Sequence, residues 1–345
     1  MRRRTKPTIA DVAARAGVSK GAVSFALNGR PGVGEDTRRR ILEVAEELGW
    51  RPDPRAKAFS ERRAQSVGLI LARPAEQLGT DPYFGQLLAG IEFVLAERGY
   101  TLVLSVREHR ADELAAYRQL TDDRRIDGAI LVDPEADDPR FELLEELDLP
   151  AVALAGPGDD LPVPSVGADE EPAVRAAVAH LVDLGHRDIA HVSGPPGVAH
   201  AVLRREAWEK ALHDAGLEPG RCITGTFSGE SGAAATAELL GAERPPTAIF
   251  YAGDVMAIAG LTMARTLGVS VPRDLSIIGF DDAPLAPHVD PALTTIRQDP
   301  LAAGRAAATV LLDLLANRGE DAGREPLEPP TLIVRASTGP APVRD

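Results

Sequence analysis

The stretch "TIADVAARAGVSKGAVSFALNGR", residues 8–30, decides how this chain begins. Ile9, Val12, Ala13 and Ala16 recur at the spacing of one helical face. Thr8 stands at the cap position with Asp11 three residues on, close to a capping box. Gly17 ends that helix, and Ser19 is placed to cap a second one whose inner face is Val23, Ala26 and Leu27. Two short helices joined by a tight turn containing Gly make a helix-turn-helix. The second helix of that motif enters the major groove of DNA, and its outward positions here are Lys20, Gly21, Ser24 and Phe25. Further on, "EDTRRRILEVAEELGW" puts Ile41, Val44, Ala45 and Leu48 on one face and stops at Gly49. A third helix therefore closes a small core.

Charge separates this segment from the rest. The 345 residues carry a net charge of -14. Residues 1–65 hold 15 Lys/Arg against 8 Asp/Glu, a net of +7, while the other 280 hold 23 against 44, a net of -21. A basic module on an acidic body points to a polyanion-binding segment on a carrier that polyanions repel. Apolar residues at 44% and charged residues at 26% are an ordinary soluble balance, and the length suits two or three domains. No apolar run reaches the ~20 residues of a membrane helix. The basic N-terminus lacks an apolar segment behind it, so no secretory signal is expected. Cys222 is the only cysteine, which excludes an intrachain disulfide or a thiolate metal cage and suits a reducing compartment. The expected location is cytoplasmic, at the nucleoid.

From Ser66 the pattern alternates. "SVGLIL", "YTLVLS", "DGAILV", "PAVAL", "DIAHVS", "TAIFYA" and "LSIIGF" are short apolar or β-branched runs, with helical stretches at 84–98, 173–184, 202–215 and 254–267 between them. This rhythm predicts βαβ units with parallel sheets buried on both faces. About 280 residues exceed one doubly wound sheet of this spacing, so two lobes are expected. The fold class is thus an α helix-turn-helix headpiece joined to a two-lobed α/β core.

"TIADVAARAGVSKGAVSFALNGRPGV" and "TRRRILEVAEELGWRPD" together resemble the DNA-binding headpiece of the lactose/galactose-repressor (LacI-type) family over about 60 residues. The body resembles the same family through "DPYFGQLLAGIE", "LVDLGHRDIAHVSGP", "AGDVMAIAGL", "VPRDLSIIGFDD" and "PALTTIRQDPLAAG". The resemblance implies a headpiece at 1–51, a hinge helix and linker at 52–64, and a periplasmic-binding-protein-like core at 65–345. Within that core it implies an N-lobe of 65–161 plus 292–325 and a C-lobe of 162–291 plus 326–345, with three crossovers and a ligand between the lobes. It places Lys20, Gly21 and Phe25 at base-reading positions and Thr8, Ser19, Ser24, Asn28 and Thr37 at phosphate contacts. Phe59 corresponds to the residue that levers open the central base step in the minor groove.

For the effector, the resemblance implies Phe84 as a stacking ring, Arg204 and Asp281 as anchors, and Phe227 and Asp254 as further contacts. An Arg–carboxylate pair across a cleft grips vicinal hydroxyls with charge-assisted bonds. The sequence departs from the family at several points. Phe25 stands where many members have Arg, Gly253 where many have Asn, and Val198 and His200 where the purine-responsive branch has Arg and Thr. A purine effector is therefore disfavoured and His200 becomes a new contact; the resemblance itself implies a sugar or sugar derivative. The implied protein is a transcriptional regulator, a repressor by family habit, acting as a homodimer on a near-palindromic operator. No C-terminal heptads point to a tetramer, and no cofactor or metal is expected. An enzyme is not indicated, because H-E-x-x-H, G-x-S-x-G and phosphate-loop patterns are missing. The alternative reading is a sugar-binding protein without DNA-binding activity.

Overall fold

The computed structural model describes residues 7–27, 32–50, 64–135, 137–156, 161–316 and 325–343. The expectations for Asn28, Phe59 and the hinge helix lie outside them. Two compact units emerge, residues 1–64 and 65–345.

The first unit contains α1 (Ile9–Ala16), α2 (Lys20–Leu27) and α3 (Glu35–Glu47). The Asp11 carboxylate accepts from both the amide and the hydroxyl of Thr8, each at 2.8 Å, and so closes the first turn of α1. Gly17 ends α1 with φ +67, the left-handed conformation that costs a glycine least. Ser19 Oγ takes the Ala22 amide at 3.1 Å to start α2. Val12, Ala13, Ala16, Val23, Ala26, Ile41, Val44 and Ala45 form one buried cluster. Arg38 Nε on α3 donates to the Ala26 carbonyl at 3.1 Å, which occupies one of the free carbonyls at the end of α2.

The second unit has two six-stranded sheets. The first contains β1 (Ser66–Ala72), β2 (Thr101–Arg107), β3 (Gly128–Leu131), β4 (Ala151–Leu154), β5 (Ser165–Gly167) and β11 (Glu325–Pro326), in the order β11-β5-β4-β3-β1-β2 and all parallel. The second contains β6 (Ile189–Ser193), β7 (Cys222–Thr224), β8 (Ala248–Tyr251), β9 (Ser276–Asp281), β10 (Thr294–Arg297) and β12 (Thr331–Ile333), in the order β12-β10-β9-β8-β6-β7, with β12 antiparallel. Central strands such as β3 and β8 are buried at every residue, as parallel strands between helical layers must be.

These sheets correct the expected lobe boundaries. β5 pairs with β4, so the first crossover falls after Gly167 and not at 161. β10 pairs with β9, so the return crossover falls after Arg297 and not at 292. The third runs between β11 and β12. Strands of two to four residues carry too little apolar pattern to be assigned to a sheet without their partners.

Helices cover both sheets: α4 (Ala75–Thr80), α5 (Pro82–Glu97), α6 (Arg110–Asp122) and α7 (Pro139–Glu146) in the first lobe, and α8 (Glu171–Asp183), α9 (Ala199–Asp214), α10 (Gly229–Leu240) and α11 (Asp254–Thr266) in the second. α12 (Pro300–Ala316) returns to the first lobe and packs on α5. Their backbones meet at Gly90 and Gly304, where a Cβ would overlap the carbonyl oxygens of Leu301 and Leu87. In the first lobe, buried Arg140 ties Asp138 and Glu113 to the end of β3. Its Nε bonds both Asp138 oxygens at 3.0 and 3.1 Å, and Nη1 bonds Glu113 Oε1 at 3.0 Å and the Val132 carbonyl at 3.1 Å.

Candidate functional site

The carboxyl ends of the strands in both sheets face one cavity of about 670 Å³. That position is where open α/β sheets bind ligands. The first lobe contributes Asp81, Tyr83 and Phe84 from the start of α5, and Asp133 from the end of β3. The second contributes His200 and Arg204 from α9, Phe227 from the loop after β7, and Asp281 from the end of β9. The lobes touch along one side. The Ala199 amide donates to the Pro134 carbonyl at 3.0 Å, and Glu135 forms an antiparallel bridge with Val198.

Arg204 is 5% exposed and tightly held. Nε donates to Glu170 Oε2 at 2.6 Å, Nη2 to Glu170 Oε1 at 2.8 Å, and Nη1 to the Ala252 carbonyl at 2.8 Å. Its guanidinium lies 3.5 Å from the centroid of the Phe280 ring. These bonds use three of its five N–H groups and leave two for a ligand. Burial opposes the Arg204 charge, but Glu170, through charge and hydrogen bonds, outweighs it and raises the pKa.

Arg204 and Asp281 both line the cavity, but from the same lobe, so they do not form the expected pair across the cleft. Asp281 Oδ1 accepts from Gln298 Nε2 at 2.6 Å. Its backbone has φ +116, which is strained for a residue with a side chain. Such strain persists only where surrounding contacts impose it. Burial pushes its pKa well above the carboxylate range, with Arg204 opposing and Asp254 and Asp81 adding to the rise.

Asp254 does not reach the cleft, which corrects its expected role as an effector contact. It is fully buried at the start of α11 and does not line the cavity. Oδ2 accepts the Ala283 amide at 2.7 Å and Oδ1 the Thr295 hydroxyl at 2.6 Å. It therefore fastens the turn that carries Asp281. Desolvation raises its pKa to about 7, against the pull of the Thr295 and Ala283 bonds.

Phe84 lines the cavity but is only 2% exposed, with Arg73 stacked 4.1 Å from its ring centroid and Tyr83 edge-on at 5.3 Å. Phe227 stacks on His200 with centroids 5.4 Å apart. His200 Nδ1 lies 3.8 Å from Asp133 Oδ1, and burial, then Arg204 and Arg73, lowers its pKa well below the usual value. It is neutral at pH 7. The sequence reading missed Asp81, Tyr83, Arg73, Asp133, Glu170 and Gln298 in this cavity. Asp81, followed by Pro82, had only the signature of a helix cap, which it also is: Oδ1 takes the Tyr83 amide at 3.0 Å.

On the headpiece, Lys20, Gly21 and Phe25 are exposed on one side of α2 and Ser24 is half-buried between them. Thr8 and Ser19 are exposed at the starts of α1 and α2, and Thr37 is half-buried on α3. Among the described residues no helix is long and apolar enough to cross a membrane.

Residues 8–53 match the LacI family of bacterial regulatory proteins, and residues 178–338 match a periplasmic binding protein-like domain. The HTH-type transcriptional regulator CelR of Thermobifida fusca is 33% identical over 98% of this chain and 100% of its own length. The chain belongs to the LacI family. This LacI-family protein is a helix-turn-helix, DNA-binding transcriptional regulator and not an enzyme. Two solved relatives cover nearly all of it. The transcriptional regulator CelR–cellobiose complex aligns with a TM-score of 0.73 and 32% identity over 96% of this chain and 99% of that one. The lac repressor dimer bound to operator and the anti-inducer ONPF aligns with a TM-score of 0.84 and 29% identity over 97% and 100%.

Proposed function

We propose that this regulator is a cytoplasmic, homodimeric repressor whose operator affinity is set by a sugar held between the two lobes. The observation that carries the reading is the composition of the cavity. Aromatic rings of Tyr83, Phe84 and Phe227 stand beside Arg204, Asp281, Gln298 and Asp81, with both lobes contributing. Sugar sites combine flat apolar faces with charged groups that exchange bonds with hydroxyls. The cellobiose complex of CelR supports the same choice. On DNA, Lys20, Gly21 and Phe25 meet base edges, while Thr8, Ser19, Ser24 and Thr37 meet phosphates. A two-fold dimer requires a near-palindromic operator.

The test combines a thermal-shift screen over sugars with gel retardation on DNA upstream of the gene. A sugar that raises the melting temperature changes retardation of the wild type. Arg204→Ala retains retardation and loses both the thermal shift and the response. A variant that still responds to the same sugar removes Arg204 from the site, and a full-length protein that retards no DNA ends the repressor reading.

A further inference from the structure

Two consecutive residues at the end of β9 have positive φ, Asp281 at +116 and Asp282 at +53. Aspartate tolerates the second value, a left-handed helical one, but a residue with a side chain rarely takes the first. Asp281 lines the cavity, whereas Asp282 does not. The Asp282 side chain nevertheless holds the turn. Its Oδ2 accepts from Arg297 Nε at 2.6 Å and its Oδ1 from Arg335 Nη2 at 2.6 Å. The Asp282 carboxylate is only 9% exposed, so both pairs are poorly screened at that end. Arg335 is fixed in its turn. Nη1 donates to the Leu293 carbonyl at 2.8 Å, and its amide donates to the Thr294 hydroxyl at 2.9 Å. Before the turn, the ladder of β9 with β10 sets Phe280 opposite Ile296 and Asp281 opposite Arg297. After it, Asp254 holds the Ala283 amide.

We propose that Asp282 is a positioning residue for the effector site. Clamped between Arg297 and Arg335, it imposes the strained backbone of Asp281 and so presents the Asp281 side chain to the cavity. The inference rests on the reading above that this cavity holds the effector. The ladder fixes the chain up to Asp281, and the clamp fixes it from Asp282 onward. Asp281 is left to join two anchored segments, and its φ follows from them. Strain of this kind persists only when the surrounding structure over-determines it. Two charge-assisted hydrogen bonds from separate elements supply that constraint. Without them, Asp281 would relax to an ordinary conformation and its carboxylate would move. Asp282 thus acts on the ligand through its neighbour and touches no ligand itself.

Urea unfolding of four full-length variants tests the clamp without a ligand: Asp281→Gly, Asp281→Ala, and each combined with Asp282→Ala. Alanine ordinarily stabilises a chain relative to glycine by narrowing its unfolded state. At φ +116 that order reverses, so Asp281→Gly is expected to unfold at higher urea than Asp281→Ala. Adding Asp282→Ala frees the backbone, and the ordinary preference for alanine is expected to return. If Asp282→Ala does not fold, Arg297→Gln and Arg335→Gln, which cut one bond each, take its place, and at least one must narrow the gap. An Asp281→Ala protein as stable as Asp281→Gly, or a gap unchanged when the clamp is cut, overturns the proposal. Calorimetric titration with glucose, maltose and cellobiose then reads the site. For a sugar that binds wild type, Asp282→Ala is expected to weaken binding about tenfold or more, the scale of a lost bond to a charged group. Asp281→Ala should weaken binding alone but add little to Asp282→Ala, because the carboxylate has already left its place. Undiminished affinity in Asp282→Ala, or fully additive losses, also overturns the proposal. Silence across the three sugars counts against the sugar reading, and the urea series still decides on the clamp.

Discussion

Phe25 puts an apolar ring, 41% exposed, on the face of α2 proposed to read DNA. Arginine there would offer a bidentate fork to guanine, whereas phenylalanine offers apolar contact such as a thymine methyl provides. Selection from a random pool is expected to return different half-sites for wild type and Phe25→Arg, with guanine enriched at the contacted position. Identical half-sites would show that residue 25 does not meet a base. In the sensor, the same scale explains the grip on Arg204. A lone guanidinium in so buried a place would be costly, and Glu170 compensates it with two hydrogen bonds. Arg204 is thereby fixed before a ligand arrives, and its remaining N–H groups lose little entropy on binding.

Among the elements, α5 and α12 are held at the closest approach in the first lobe by Gly90 and Gly304. Because α5 also carries Asp81, Tyr83 and Phe84 into the cavity, that contact sets the height of one cleft wall. Gly90→Ala must push the helices apart, and overpacking of this kind costs about 1–3 kcal/mol. Urea unfolding should show that loss, together with weaker sugar binding. Full stability would mean that the helices slide without penalty. In the second lobe, Asp254 ties α11 to β10 and the turn after β9. Its folded pKa of about 7 lies above the value of about 3.9 for an unfolded Asp. The folded state thus keeps a proton that the unfolded chain releases. This contribution to stability is complete below pH ~3.9 and is lost as pH rises through about 7. Asp254→Asn preserves both bonds, since its oxygen accepts from Ala283 and its NH₂ donates to the Thr295 hydroxyl. Stability compared at pH 5 and pH 8 should fall less in the variant than in wild type. Equal falls would assign the pH dependence to other groups.

At the scale of the whole molecule, a basic reader is attached to an acidic sensor. Residues 1–65 carry +7 and the remainder -21, so phosphate attraction belongs to the headpiece alone. DNA affinity should fall steeply and log-linearly with salt as counterions are released. Sugar affinity should change little over the same range, because its contacts lie inside the cavity. Coupling between the two sites is reciprocal: whatever factor the sugar imposes on operator affinity, the operator imposes on sugar affinity. Calorimetry of the sugar with and without operator, set against retardation with and without sugar, measures both factors. Unequal factors would show that a third equilibrium, such as dimer dissociation, intervenes.

The sequence by itself determined the elements whose signal is local. A capping pair such as Thr8 and Asp11, a glycine stop at Gly17, and apolar faces of period 3.6 or buried runs such as those of β3 and β8 need no distant partner to be read. The exposed face of α2 proposed to read DNA was legible for the same reason, because neighbouring residues of one short helix compose it. The tertiary structure alone decided where β5 and β10 pair, because strands this short are defined by their neighbours. It alone decided that Arg204 joins Glu170, and that Asp254 is buried against Ala283 and Thr295. It alone brought Asp81 and Asp281 into one cavity from 200 positions apart in the numbering. Ion pairing and desolvation depend on distance in space, and the order of residues along the chain does not encode that distance locally.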